Sequence, residues 1–241
     1  MKKVWNIASW TIGFVLLMVL GAFSSQKKGE VKHQGIDIQI DYNQNHYFVS
    51  KGEIEEIIRN EYPYIDSILC REINITLLEE TLDNHPSIRK AEVYSALDGI
   101  LRIQVQQKQP CYRVHSSAVD YYIAEKGDTM KLSPNYSAKV PLVTGTLSAK
   151  STREVYEFFN KVKEDEFFSN FFTGINVDSN GEWILYPRPG RHKVFLGPPE
   201  NVGEKLRRLK IFYQSVIDKK NIDSIASLNV TYEKQVICKK Y

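Results

Sequence analysis

Cysteine is scarce in this chain of 241 residues: Cys70, Cys111 and Cys238 are all there are, and they lie far apart. An odd, scattered set without C-x-x-C supplies neither a disulfide framework nor the thiol half of a zinc site. Cys111 with His115 lacks a second ligand pair, so small buried or half-buried residues are the plainer reading. An oxidising compartment permits one disulfide, whose partners cannot be read from sequence. The five histidines, His33, His46, His85, His115 and His192, are isolated, and no H-E-x-x-H is present. A G-x-S-x-G nucleophile elbow is also missing. Gly197–Lys205 contains Gly, Pro and Lys without phosphate-loop spacing, and Pro198-Pro199 removes backbone donors that such a loop requires. The adjacent acids Glu55/Glu56, Glu79/Glu80 and Asp165/Glu166 diverge around helices and read as solvated faces. No catalysis, cofactor or metal is expected.

Charge of one sign is missing as well. The net charge is +3 and the pI near 8.6. Lys2 and Lys3 carry two of the 32 basic residues, leaving 30 against 29 acidic ones in the remainder. With no basic stripe and no RNA-binding aromatic motif, nucleic acid is excluded as a partner class. Charged residues at 25% and hydrophobic ones at 42% describe a globular chain.

What is present begins at the N-terminus. Val4–Phe23 is interrupted only by Asn6, Ser9 and Thr11. As a helix it would reach about 30 Å, the thickness of a bilayer core. Its wholly apolar part, Ile12–Phe23, has signal-peptide length, and Ala22-Phe23-Ser24 is a passable cleavage site. Anchor and cleaved signal both place the remainder outside the cytoplasm, and Trp5 and Trp10 favour the anchor. Lys27, Lys28 and Lys32 outnumber Lys2 and Lys3, so flanking charge leaves the orientation open. Residues 24–34 form a polar, basic linker.

Gly35–Asp41 then alternates, with Ile36, Ile38 and Ile40 on one face of a strand. Ser50 with Glu53 and Thr76 with Glu79 have capping-box spacing for two helices, the first stopping at Tyr62-Pro63, the second at His85-Pro86. Ile54, Ile57 and Ile58 face inward from the first, Leu77, Leu78 and Leu82 from the second. Ile88–Tyr94 and Ile100–Gln107 are strands joined by an Asp98-Gly99 hairpin turn. The order strand, helix, helix, strand, strand predicts a three-stranded sheet, its first strand at an edge, with both helices on one face.

Beyond Pro110 short strands dominate: Cys111–Val114, Tyr121–Ala124, Val140–Thr144, Ile175–Asp178, Trp183–Tyr186 and Lys193–Leu196. Two helices interrupt them. One opens at a Ser151/Glu154 box, and the other at Asn201 and Glu204 with the stripe Val202, Leu206, Leu209, Tyr213 and Val216. Ser227–Cys238 closes the chain as one strand, in which Leu228, Val230, Tyr232, Val236 and Cys238 share a parity. A strand at a chain end can be an open edge, which accepts an extended partner by backbone pairing.

Certain residues carry a resemblance. Leu82-x-x-His85-Pro86-x-Ile88-x-x-Ala91-x-Val93 is one, and Leu101-x-Ile103-x-Val105 followed by Gln107-Lys108-Gln109-Pro110 is another. Tyr121–Gly127, Val140–Gly145, Leu206-Arg207-Arg208-Leu209 and the ending Leu228–Ile237 follow in order. Together they resemble the bacterial FtsQ/DivIB cell-division family, in the form of its Bacteroidetes branch. The resemblance implies an α+β chain: a cytoplasmic start at 1–3, a single N-terminal transmembrane helix at 4–23, and a linker at 24–34. A polypeptide-transport-associated (POTRA) domain of β-α-α-β-β order follows at 35–108, then a mixed β-sheet domain with two helices at 109–241. It implies a non-catalytic scaffold of the division complex at the inner membrane, with the bulk of the chain periplasmic. FtsB-like and FtsL-like proteins are the implied partners at the last strand, and FtsK at the POTRA domain. Tyr232 matches the tyrosine of that strand, flanked by Val230, Thr231 and Val236, and Arg207 or Arg208 would offer a cation to the partner's acids. The competing layout is a secreted POTRA-type export or outer-membrane assembly factor cleaved after Ser24, although no run of strands suits a barrel.

Overall fold

The computed structural model describes residues 32–42, 46–116, 119–217 and 222–241, together with 13–15 and 18. Apart from those last four positions, the expected membrane segment Val4–Phe23 lies outside the described residues. Among the described residues no helix is long and apolar enough to cross a membrane. Backbone contacts divide the chain into two compact units, residues 1–107 and 108–241.

In the first unit β1 (Gly35–Asp41) is followed by α1 (Lys51–Glu61), α2 (Ile75–Asp83), β2 (Ile88–Ser95) and β3 (Ile100–Gln107). The sheet order is β1-β3-β2, with β1 parallel and β2 antiparallel to β3. The first strand does stand at an edge. Ile38, Ala91, Val93, Leu101, Ile103 and Val105 are buried on the sheet, as are Ile54, Ile58, Leu78 and Leu82 on the helices. Alternation in the strands and 3.6-residue spacing in the helices thus bring two apolar surfaces into one core. Ser50 caps α1, its hydroxyl accepting from the Glu53 amide at 3.2 Å. The second capping expectation needs correction. α2 starts two residues earlier than the Thr76/Glu79 spacing implies, because the Asn74 side chain accepts from the Leu77 amide. Thr76 lies inside the helix, and Glu79 is free for another use. Two single turns of 3₁₀-helix, Ile65–Ser67 and Cys70–Glu72, fill the stretch before α2.

The second unit contains β4 (Pro110–His115), β5 (Asp120–Ala124), β6 (Thr129–Lys131), β7 (Leu142–Gly145), α3 (Ala149–Glu164), β8 (Phe172–Val177), β9 (Trp183–Pro187), β10 (Lys193–Gly197), α4 (Val202–Ile217), β11 (Ile225–Asn229) and β12 (Ile237–Lys240). These strands form one mixed sheet ordered β12-β11-β10-β9-β8-β7-β4-β5-β6. Val155, Phe158, Phe159 and Val162 of α3 join Leu206, Leu209 and Tyr213 of α4 in a single core with inward strand residues such as Ile175, Leu185, Val194 and Leu228. Trp183 sits in it edge-on to Phe158, with ring centroids 5.6 Å apart. The cap of α3 is Ser148 paired with Ser151, not Ser151 with Glu154.

The chain end also departs from expectation. Ser227–Cys238 is not one strand but the two arms of a hairpin, β11 and β12, paired antiparallel with Asn229 opposite Ile237 and Leu228 opposite Cys238. The Asn229 side chain accepts from the Thr231 amide at 2.9 Å, and Lys234 adopts a left-handed φ of 61°. An asparagine bonding its own backbone two residues on is a turn device, and it ends the strand before Tyr232.

Candidate partner-binding site

The hairpin puts β12 at one extreme of the large sheet, with a single neighbour, β11. A strand in that position leaves half of its backbone groups outside the ladder, which is what strand addition requires. Phe195 of β10 pairs with Asn229, and Asn229 with Ile237, so the three side chains form one row on one face. Phe195 is 37% exposed and Ile237 46%, whereas Val194 and Leu196 on the opposite face are buried. Tyr232 stands beside this edge, 52% exposed in the 230–236 loop.

That loop is held from below. The Val230 amide donates to the Phe195 carbonyl at 3.0 Å. Gly197, with φ +69°, passes so close to Thr231 that a Cβ there would meet its hydroxyl at 2.9 Å. From α4, Arg208 donates through Nη2 to the Val230 carbonyl at 3.1 Å and through Nη1 to the Tyr232 carbonyl. One turn earlier, buried Lys205 donates to the Leu196 carbonyl at 2.9 Å and the Pro198 carbonyl at 2.7 Å. Burial pushes the pKa of Lys205 down, since its charge has left water.

The six residues singled out from sequence therefore separate. Val230 is wholly buried and Val236 packs against the core. Thr231 and Tyr232 face solvent. Arg207 points outward and grips Glu204 through two bonds of 3.0 and 2.8 Å, whereas Arg208 turns inward. Phe195, Asn229 and Ile237 were missed. A parity count would have found Phe195, which alternates with Val194 and Leu196.

The first unit treats its β2 edge differently. The Ala91 amide of β2 donates to the Asp83 carboxylate at 2.6 Å, and the Val93 amide to Glu79 at 2.8 Å. Asp83 and Glu79 stand four residues apart on α2 and accept from donors that a further strand would otherwise meet.

A cleft of about 580 Å³ in the second unit is lined by Tyr112, Tyr121, Thr152, Arg153 and Tyr156 among others. The Tyr112 hydroxyl donates to the Thr152 carbonyl and the Tyr156 hydroxyl to that of Glu125, so neither serves as a free polar group there. Among the described residues no three His, Cys, Asp or Glu side chains gather as a metal site needs.

Residues 109–239, more than half of the chain, match the family described as FtsQ/DivIB, C-terminal related. The chain belongs to the FtsQ/DivIB family. Residues 32–106 match a POTRA-like domain, so the first unit also carries the fold expected of this family. One solved structure is the major extracytoplasmic domain of the trans isomer of the bacterial cell division protein DivIB from Geobacillus stearothermophilus. It is similar at 12% identity and a TM-score of 0.33, over 46% of this chain and 95% of that one. A likeness of that size carries none of the argument. No curated protein matches. FtsQ/DivIB membership makes this a cell-division protein with a scaffold role.

Proposed function

We propose that the protein is a non-catalytic scaffold of the bacterial divisome that takes up an extended segment of an FtsB-like protein by strand addition on β12. The observation carrying this reading is the single-neighbour edge β12 with exposed Ile237 and Tyr232 beside it. Tyr232 and Thr231 meet the incoming segment, Val230 and Val236 support the loop from the core, and Arg207 offers a cation at the rim. An FtsL-like protein arrives with the FtsB-like one, and the POTRA domain at 35–108 serves recruitment through FtsK. Val4–Phe23 anchors the chain in the inner membrane, with residues 1–3 cytoplasmic and residues 24–241 periplasmic, the domain at 109–241 carrying the site.

The test is binding of residues 24–241 to an extended FtsB-like segment by calorimetry. Tyr232→Ala and Ile237→Ser are each expected to weaken binding about tenfold, the loss of one well-packed anchor. Both positions are exposed, so thermal unfolding should stay within about 2 °C of the wild type, as surface changes do. Full-strength binding by both variants would place the partner elsewhere.

A further inference from the structure

Lys205 and Arg208 lie three residues apart on α4 and share the helix face turned toward the C-terminal hairpin. Between them they donate to four main-chain carbonyls, Leu196 and Pro198 before α4, Val230 and Tyr232 after β11. Among the described residues no carboxylate lies within ion-pair distance of either. This is an unusual use of two cations, since a surface arginine ordinarily meets an acid or water. A guanidinium is a flat fork of donors fixed in direction, so one arginine can hold two carbonyls of a bent chain at once. Lysine has no such fork. The two carbonyls held by Arg208 belong to alternate residues, and Thr231 between them is seated on Gly197. The backbone of 230–232 is thereby fixed on both sides, and Tyr232 stands outward from it.

We propose that Arg208 is a positioning residue for the recognition loop: it holds residues 230–232 so that Tyr232 is presented to the partner, and it contributes no charge to the partner itself. The proposal rests on the reading of β12 and Tyr232 as the partner site. It divides two neighbouring arginines by task, since Arg207 faces solvent on Glu204 and Arg208 faces the loop.

The experiment compares Arg208→Gln, Arg208→Lys and Arg207→Ala with the wild type in residues 24–241, free and with the FtsB-like segment. In the free protein, backbone order parameters at Thr231–Lys234 should fall below about 0.6 in Arg208→Gln, the range of flexible backbone, and stay at wild-type values in Arg207→Ala. Affinity should fall about tenfold in both Arg208→Gln and Arg208→Lys, because lysine keeps the charge and loses the fork. The loss should be the same at low and high salt, as no ion pair with the partner is broken. Unchanged order parameters in Arg208→Gln, or full affinity in Arg208→Lys, would overturn the proposal. The order parameters need no partner, so failure of the strand-addition reading shows separately, as full binding by Tyr232→Ala.

Discussion

At the scale of single residues, His192 couples the second unit to pH. It is buried, with Nε2 2.6 Å from the Tyr213 hydroxyl and Nδ1 without a partner among the described residues. Burial lowers its pKa below the ordinary 6.5 and raises that of Tyr213, so both groups are neutral in the core. The unfolded chain accepts a proton on this histidine near pH 6.5, and the folded chain resists until lower pH. The stability that the neutral imidazole contributes is therefore complete above pH 6.5. It declines as pH falls below 6.5 toward the folded value, because protons then favour the unfolded state. His33 acts in the same direction in the first unit, where burial is the largest cause, Asp66 opposes it and Arg59 reinforces it. Asp120 works in a lower window: Arg113 at 2.6 and 2.7 Å holds its pKa down to about 2, so its contribution is complete above its ordinary value of 3.8 and is lost only in strong acid. His192→Gln should accordingly lower the thermal midpoint at pH 7.5 and flatten its decline between pH 7.5 and 5.0. Equal slopes for the variant and the wild type would show that His192 takes no part.

At the scale of elements, the two sheets manage one edge each in opposite ways, β2 in the first unit and β12 in the second. The carboxylates of Glu79 and Asp83 cover β2, whereas Lys239 and Lys240 on β12 form no ion pair among the described residues and leave its backbone open. Val93 and Ala91 are buried, so removing either carboxylate strands an amide in a largely dry place. Glu79→Ala should cost about 1–3 kcal/mol in urea unfolding, the penalty of an unsatisfied buried donor, and Asp83→Ala less, because Asp83 is more exposed. The double variant should also self-associate in sedimentation, since a bare edge pairs with its like. A monomeric double variant of wild-type stability would refute the covering role. None of this was legible beforehand. Glu79 fits a capping box, and only the start of α2 at Asn74 releases it for β2. The core elements were easier to read, because Ile100–Gln107 and the α4 stripe express their period directly. The C-terminal hairpin was hidden for the converse reason. Leu228, Val230, Val236 and Cys238 do all turn toward the core, so the hairpin keeps four of the five residues that an unbroken strand would bury, and only Tyr232 departs. The break is decided by Asn229 bonding its own backbone, by Lys234 accepting a left-handed φ, and by Arg208 gripping carbonyls, and none of these alters hydrophobic periodicity.

At the scale of the whole molecule, each unit owns a sheet and a set of buried apolar residues, and every group built into the candidate site belongs to residues 108–241. Lys205, Arg208, Gly197, Phe195 and the hairpin need nothing from the first unit to adopt their bonds. A domain of this size can bury enough apolar surface to fold alone. The fragment 108–241, expressed separately, should unfold cooperatively and bind the FtsB-like segment within about twofold of residues 24–241, an offset below 0.5 kcal/mol. Residues 32–107 should fold, and their β2 edge should take up no such segment, since the Ala91 and Val93 donors are already held by Asp83 and Glu79. Calorimetric unfolding of the longer chain should then resolve into the two fragment transitions. A folded 108–241 fragment that has lost affinity would mean that the POTRA-like unit supplies part of the partner surface. The scaffold would then hold its partner with both units, and β12 with Tyr232 would be only one of its contacts.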